Sequence, residues 1–275
     1  MIKNMIIGGK SFPIGERIYL MGILNVTPDS FSDGGSFNQM DKALYHAGEM
    51  ISQGADIIDI GGESTRPGHV KITEGEEIER VAPVIEALKK EFDIPISIDT
   101  YKSRVARAAL EAGADMVNDI WGFQYDGKMA ALVKEFDVAA CLMHNKDNTE
   151  YGAFMPEVLA ELSECIELAK VAGISEDKLM VDPGIGFGKT LEQNLICMNH
   201  LEDFLKFNLP VLLGTSRKSM IGLTLDLPVT EREEGTMATS VIGAMKGCHF
   251  VRVHNVEANK RAIRMTEAIL REKAR

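Results

Sequence analysis

A chain of 275 residues, 45% of them apolar, is long enough to bury a sizeable core as one large domain or two small ones. Its net charge of −11 argues against nucleic acid or an anionic membrane as partner, since both need a basic surface, but leaves room for a local cluster of Arg and Lys around a small anion. The apolar run in residues 1–12 is too short for a signal peptide and no stretch could span a bilayer, while four widely spaced cysteines (Cys141, Cys165, Cys197, Cys248) without a CxxC read as buried apolar residues rather than a metal or disulfide framework, so a soluble, cytoplasmic protein is expected.

Residues 5–12, broken by Gly8-Gly9, predict a short hairpin. From residue 18 a rhythm sets in: a short apolar run ends in polar or glycine residues, and an amphipathic stretch follows with apolar residues three and four apart. Strands over 18–25, 56–61, 94–99 and 116–120 are followed by helices over 41–53, 74–91, 102–111 and 128–135. Strands over 139–144, 179–182, 211–214 and 250–254 are followed by helices over 156–172, 191–205, 232–246 and 257–271. Gly54, Gly113, Gly173 and Gly247 stand just past predicted helix ends, where a left-handed cap is expected. Strands alternating with helices mean βαβ units and a parallel sheet. Eight such units predict a single TIM (β/α)8 barrel domain over residues 1–275, plugged below by the short N-terminal β-hairpin; a doubly wound open sheet is the competing arrangement.

Asn25, Glu63, Asp99, Asn118, His144, Asp182, Lys218, Arg252 and His254 lie at or near the C-terminal end of a predicted strand, the end that carries the active site of a TIM barrel. A solvated loop explains one or two polar residues there, not one at every strand. Arg252 and His254, two apart in a strand, face one side. With Lys218 they suit a pyrophosphate, because the loops after strands seven and eight are the usual phosphate site of this fold; the alternative is a structural ion pair or a core histidine. Asp99, Asn118 and Asp182 form a second group, in which aspartate accepts hydrogen bonds and asparagine both donates and accepts. Together they suit the edge of a flat aminopyrimidinone, although each alone reads as a cap or turn residue. The stretch Asp182-Pro-Gly-Ile-Gly-Phe-Gly-Lys-Thr190 fails the P-loop pattern at Pro183 and the GxGxxG pattern at Lys189. Its glycines are expected to let the backbone approach a flat ligand, with Phe187 stacking on it or walling an adjoining pocket. Residues 27–38, rich in Gly, Ser and Asp, and residues 63–73, with Arg66, are candidate lids or plain connections.

Asn25-Val-Thr-Pro-Asp-Ser-Phe-Ser-Asp-Gly-Gly35 and Asp59-Ile-Gly-Gly-Glu-Ser-Thr-Arg-Pro-Gly68 resemble two signatures of the dihydropteroate synthases. Ile96-Ser-Ile-Asp99, Asn118-Asp119, Asp182-Pro-Gly-Ile-Gly-Phe187, Leu213-Gly-Thr-Ser-Arg-Lys218 and Val251-Arg-Val-His254 follow in the family order, so the resemblance runs from about residue 15 to 260. It implies a TIM barrel, a homodimer, and condensation of 6-hydroxymethyl-7,8-dihydropterin pyrophosphate with p-aminobenzoate in folate synthesis, the step that sulfonamides block. It further implies that Asp99, Asn118, Met143, Asp182, Phe187, Gly214 and Lys218 hold the pterin. Asn25, Thr65, Arg66, Arg252 and His254 are implied to hold the pyrophosphate, with Asn25 binding Mg²⁺. Thr65, Arg66, Pro67, Phe187, Lys218 and Ser219 are implied to build the p-aminobenzoate pocket, and Asp33, Lys218, Arg252 and His254 to act in catalysis, with Asp33 ordering the first loop. The sequence departs from many relatives at Asn145-Lys146-Asp147, which is expected to alter the pocket rim, and at Asn255, which as a helix cap is expected to change little.

Three other readings compete. A pterin-binding methyltransferase domain shares the barrel and the pterin edge but has no need of the anion set. A Schiff-base aldolase using Lys218 lacks an evident apolar pocket to depress the lysine. A non-catalytic pterin-binding paralogue is expected to have lost Asn25, Asp182 or Lys218, and all three are present.

Overall fold

The computed structural model describes residues 2–27, 36–63 and 71–273, without the side chains of 36–39. An antiparallel pair, β1 (Asn4–Ile7) and β2 (Lys10–Pro13), comes first. Eight parallel strands follow: β3 (Tyr19–Asn25), β4 (Ile57–Gly61), β5 (Ile96–Asp99), β6 (Met116–Asp119), β7 (Ala139–Met143), β8 (Leu179–Asp182), β9 (Leu212–Gly214) and β10 (Phe250–Val253). Sequence neighbours pair side by side, β3 meets β10, and a parallel bridge between Val181 and Val211 joins β8 to the start of β9. The ring is the predicted barrel and not the open sheet.

Helices α1 (Ser36–Gln53), α2 (Glu74–Glu91), α3 (Ser103–Glu111), α4 (Met129–Phe136), α5 (Phe154–Val171), α6 (Leu191–Asn199), α7 (Ser219–Leu225), α8 (Glu233–Met245) and α9 (Val256–Leu270) fill the crossovers. Two expectations need correction. The helix expected over 191–205 stops at His200 and continues as a 3-10 turn over Leu201–Phe207. Helix α7 was not expected at all: its seven residues span fewer than two helical turns, too few for a periodic signal. The four predicted glycine caps all have positive φ, from 79° at Gly173 to 110° at Gly113, as a left-handed helix stop requires.

Strand alternation divides the core. Outward residues such as Ile58, Ile60, Ile96, Ile98 and Val117 pack under the helices, each contributing about 1.5–3 kcal/mol through burial. Inward residues at the strand starts make a second cluster with the hairpin: Met5, Ile7 and Phe12 meet Tyr19, Met21, Met116, Met180 and Phe250. The rings of Phe12, Tyr19 and Phe250 lie 5.0–5.9 Å apart at their centroids. Hence the hairpin is the predicted plug. A third, smaller cluster of Tyr101, Ile120 and Met143, with Trp121 and Phe187 against it, sits at the opposite end, where the strands finish.

Candidate active site

The inward parity that brings Ile57, Met116, Met180 and Phe250 to the bottom cluster brings Asp59, Asn118, Asp182 and Arg252 inward two residues later. Register lines them up, with Asp99 opposite Asn118, Met143 opposite Asp182 and Gly214 opposite Arg252. A ring of polar side chains therefore lies directly above an apolar floor.

Arg252 is the hub. Its Nε donates to Asp59 Oδ2 at 2.5 Å and its Nη2 to Asp99 Oδ2 at 2.6 Å. Asp59 Oδ2 also accepts from Asn118 Nδ2 at 3.1 Å, which turns the Asn118 oxygen toward any other partner. Burial would weaken the guanidinium's hold on its proton, but the Asp59 and Asp99 carboxylates outweigh it and keep Arg252 charged. Burial pushes the Asp99 carboxyl up, against the pull of Arg252 and with the push of Asp59. Asp182 is raised by burial too, against Lys218 and the Gly184 N–H that its Oδ1 accepts at 2.7 Å. Among the described residues, Asp59 Oδ1, Asp99 Oδ1 and Ser97 Oγ are buried without a partner. Such atoms are rare and mark places where a ligand or water donates.

Lys218 donates to Ile185 O and lies 4.5 Å above the Phe187 ring. Burial lowers its ammonium to about 8, with Asp182 opposing. No enclosing apolar pocket was expected around Lys218; its side chain instead lies over the Phe187 ring, where burial lowers its pKa. Gly214 has no side chain between Asp182 and Arg252: an added Cβ would lie 3.5 Å from Asp182 Oδ2 and 4.0 Å from Arg252 Cβ. Gly61 does the same for Asn25 and Asp99, whose oxygens lie 3.7 Å from where its Cβ would be. Ser219 opens α7 and is exposed.

Arg252 and His254 were expected to converge on one face; Arg252 is held by Asp59 and Asp99, while His254 Nδ1 lies 2.9 Å from Ser216 Oγ. Two other residues near strand ends turn to partners of their own. Glu63 bonds the Tyr101 hydroxyl and Lys102, which also pairs with Glu77, in a buried cluster. His144 faces Lys189 and Glu161. The glycines of the loop 183–188 have reasons besides a ligand. Gly184, Gly186 and Gly188 all have positive φ; a Cβ on Gly184 would strike the His144 carbonyl oxygen at 1.8 Å, and one on Gly188 the Lys146 backbone at 2.6 Å. Asn145-Lys146 therefore lies beneath this loop, and Lys146 Nζ bonds Glu161. Asn255 caps α9 as expected, accepting from Ala258 N–H. All four cysteines are buried free thiols. Asp33, Thr65, Arg66 and Pro67 lie outside the described residues.

Asp59 and Lys189 carried no predicted role. Asp59 was within reach of the sequence, sharing inward parity with Ile57 and standing level with Ser97, two residues before Asp99. Lys189 offered no such signal, because its partners are two backbone carbonyls of a loop and the His144 ring, 45 residues earlier in the chain.

A family model described as pterin binding enzyme matches residues 21–254. The dihydropteroate synthase of Clostridium beijerinckii is 61% identical over 268 residues, which is 97% of this chain and 100% of that protein. A dihydropteroate synthase from Clostridium difficile, solved in the presence of pteroic acid, superposes with a TM-score of 0.92 at 52% identity, covering 94% of this chain and 98% of that one. The Xanthomonas albilineans dihydropteroate synthase, solved with 4-aminobenzoic acid, gives a TM-score of 0.93 at 38% identity over 98% of this chain and 99% of its own.

Proposed function

The chain belongs to the pterin-binding enzyme family, among its dihydropteroate synthases, and from that premise we propose how the polar ring at the barrel mouth serves the reaction. It is a transferase, condensing 6-hydroxymethyl-7,8-dihydropterin pyrophosphate with p-aminobenzoate to give 7,8-dihydropteroate and pyrophosphate. The observation that carries the site assignment is the buried acceptor Asp99 Oδ1, without a partner among the described residues, opposite Asn118 in the strand register and above the apolar floor. A pterin edge supplies the N–H donor that this oxygen lacks.

In this reading Asp99, Asn118 and Asp182 hold the aminopyrimidinone edge, with Met143 and Gly214 beside it and Lys218 at its carbonyl. Arg252 and His254 face the pyrophosphate. The bond between the pterin methylene and the pyrophosphate oxygen breaks, its electron pair leaving with the anion. The amine of p-aminobenzoate then bonds to the methylene carbon and sheds a proton. Arg252, kept charged by its carboxylate neighbours, stabilises charge growing on the leaving group, and the buried Asp99 and Asp182 offset positive charge on the ring. Phe187 and Lys218 wall the second pocket together with Ser219; the roles of Thr65, Arg66 and Pro67 in that pocket and of Asp33 in the first loop are carried from the family resemblance alone.

Among the described residues no three His, Cys, Asp or Glu side chains are grouped to hold a metal. A single side-chain oxygen suffices for Mg²⁺ brought by the substrate's phosphates, since this ion keeps several waters and needs only one or two protein oxygens. Asn25 offers such an oxygen next to Asp99. When bound, the ion neutralises charge on the departing pyrophosphate.

We infer a cytoplasmic homodimer. Among the described residues no helix is long and apolar enough to cross a membrane, and the adjacent α8 and α9 expose Ile242, Met245, Met265 and Ile269. Sedimentation at micromolar concentration tests the dimer, and a monomer there overturns it.

The purified protein, given both substrates and Mg²⁺, is followed by pyrophosphate release and by the mass of dihydropteroate. Large losses in Lys218→Ala and Asp182→Ala support the assigned site, whereas full activity in either removes that residue from it. The pyrophosphate helps form the second pocket, so binding is ordered; p-aminobenzoate that binds equally tightly without pyrophosphate or its pterin ester would overturn that order.

A further inference from the structure

Lys189 is an almost fully buried lysine that the reaction as described leaves without a task. It stands at the end of the loop 183–188, on the last residue but one before α6 begins. An ammonium has three protons and accepts nothing. Lys189 Nζ has three partners: Gly184 O at 3.0 Å, Phe187 O at 3.0 Å and His144 Nδ1 at 2.8 Å. Because lysine can only donate, Nδ1 of His144 must accept, so the ring proton sits on Nε2 and points to Glu161 Oε2 at 2.8 Å. Lys146 holds the other Glu161 oxygen at 2.9 Å. The chain Lys189–His144–Glu161–Lys146 is satisfied at every link and runs from the loop to α5.

The loop has other fastenings. Gly184 N–H reaches Asp182, Gly186 N–H reaches Asn194 at 2.6 Å, Ile185 O takes Lys218, and Gly188 O takes the Tyr151 hydroxyl at 2.7 Å. Each holds a residue other than Phe187. Phe187 N–H turns back onto Gly184 O, itself a Lys189 partner, so both backbone polar groups of Phe187 depend on Lys189 or on a carbonyl that Lys189 holds.

We propose that Lys189 is a positioning residue for the amine-substrate pocket: its ammonium ties the Phe187 backbone to the His144–Glu161 pair and so sets the ring that, together with Lys218, walls the p-aminobenzoate site. It touches neither substrate. The inference rests on the reading that Phe187 lines that pocket.

The test compares Lys189→Gln, His144→Gln and Phe187→Ala in the full-length enzyme, measuring KM for each substrate, kcat and Tm. Lys189→Gln keeps two donors but loses the third and the charge; it is expected to raise KM for p-aminobenzoate about tenfold while KM for the pterin pyrophosphate moves less than about twofold. His144→Gln, which removes one acceptor and leaves Lys189 in place, is expected to shift the same KM by a smaller factor. A role in stability alone lowers Tm and leaves both KM values unchanged, and that result for Lys189→Gln overturns the proposal; so does an equal rise in both KM values. If Lys189→Gln does not fold, an unchanged KM for p-aminobenzoate in His144→Gln overturns it instead. Phe187→Ala separates the two ideas: if it too leaves KM for p-aminobenzoate unchanged, the pocket assignment has failed, whereas a raised KM there beside an unmoved Lys189→Gln refutes the role of Lys189 alone.

Discussion

Asp59→Asn is the perturbation most specific to the polar ring. Asp59 is completely buried, and its Oδ2 receives both Arg252 Nε and Asn118 Nδ2. A hydrogen bond to a charged group contributes roughly 1.5–3 kcal/mol and a neutral one about 0.5–1.5 kcal/mol. An asparagine keeps the shape and one oxygen but loses the charge, so the hold on Arg252 falls by about 1–2 kcal/mol, a factor of roughly 5–30. The amide of Asn118 loses its fixed orientation at the same time, because a neighbouring amide presents a donor as readily as an acceptor. Steady-state kinetics should show that loss in kcat/KM for the pterin pyrophosphate, with KM for p-aminobenzoate little altered. Wild-type kcat/KM for the pterin substrate, in a variant with an unchanged Tm, would refute the idea that Asp59 sets Arg252 and Asn118.

Three further outcomes follow from the contacts described above. Burial drives His249 down to about 4, and its Nδ1 accepts the Val211 N–H at 3.1 Å. A histidine with a folded pKa below its unfolded value of about 6.5 gives stability that is intact above that value and drains as pH falls toward 4, by about 3 kcal/mol; urea midpoints should show that slope, and His249→Asn, which keeps an acceptor, should flatten it. If the slopes match, His249 is not the group responsible. Gly184→Ala combines a φ of +70° with a Cβ 1.8 Å from the His144 carbonyl oxygen, so it should cost more than the ~1–2 kcal/mol of the left-handed backbone alone and abolish activity; an active variant with a native Tm would show that the loop has another conformation. With Lys218 lowered to about 8, kcat/KM for the pterin substrate should decline above that pH as the ammonium is lost, and the residual activity of Lys218→Arg should stay level through the same range. A wild-type profile that holds flat well past it would mean that Lys218 keeps its proton or that its charge is not needed.

The barrel was legible because its signal is local and repeated: each strand is a short apolar run, and each glycine stop leaves its mark in the residues that precede it. Asp99, Asn118 and Asp182 were legible for a related reason, since ending an apolar strand with a polar residue forces that residue to the strand's mouth. What failed was direction. His144 directly follows β7, whose last residue Met143 pairs with Asp182 at the end of β8, yet its ring turns toward α5, because Lys189 and Glu161 offer it partners that are distant in sequence. Glu63 was likewise drawn toward Lys102. Arg252 and His254 share strand parity, but parity fixes only the side of the sheet, and the Asp59 and Asp99 carboxylates decide where a long side chain ends. Asp59 stands in the Asp59–Gly68 motif without a role legible there, since an aspartate inside a strand gains meaning only once the strand is curled into a ring.

The aromatic stopper formed by Phe12, Tyr19 and Phe250 makes the barrel a blind well with one opening. Whatever settles on the floor of such a well is covered by what arrives next, so traffic runs as in a stack: first in, last out. If the pterin occupies the polar ring, it must enter before the amine and cannot leave as product until pyrophosphate has cleared the rim above it. An inhibitor near the rim that carries a free amine can then still bond through its nitrogen to the waiting pterin's methylene carbon as pyrophosphate leaves, and one seated on the floor excludes both substrates by holding the lower berth.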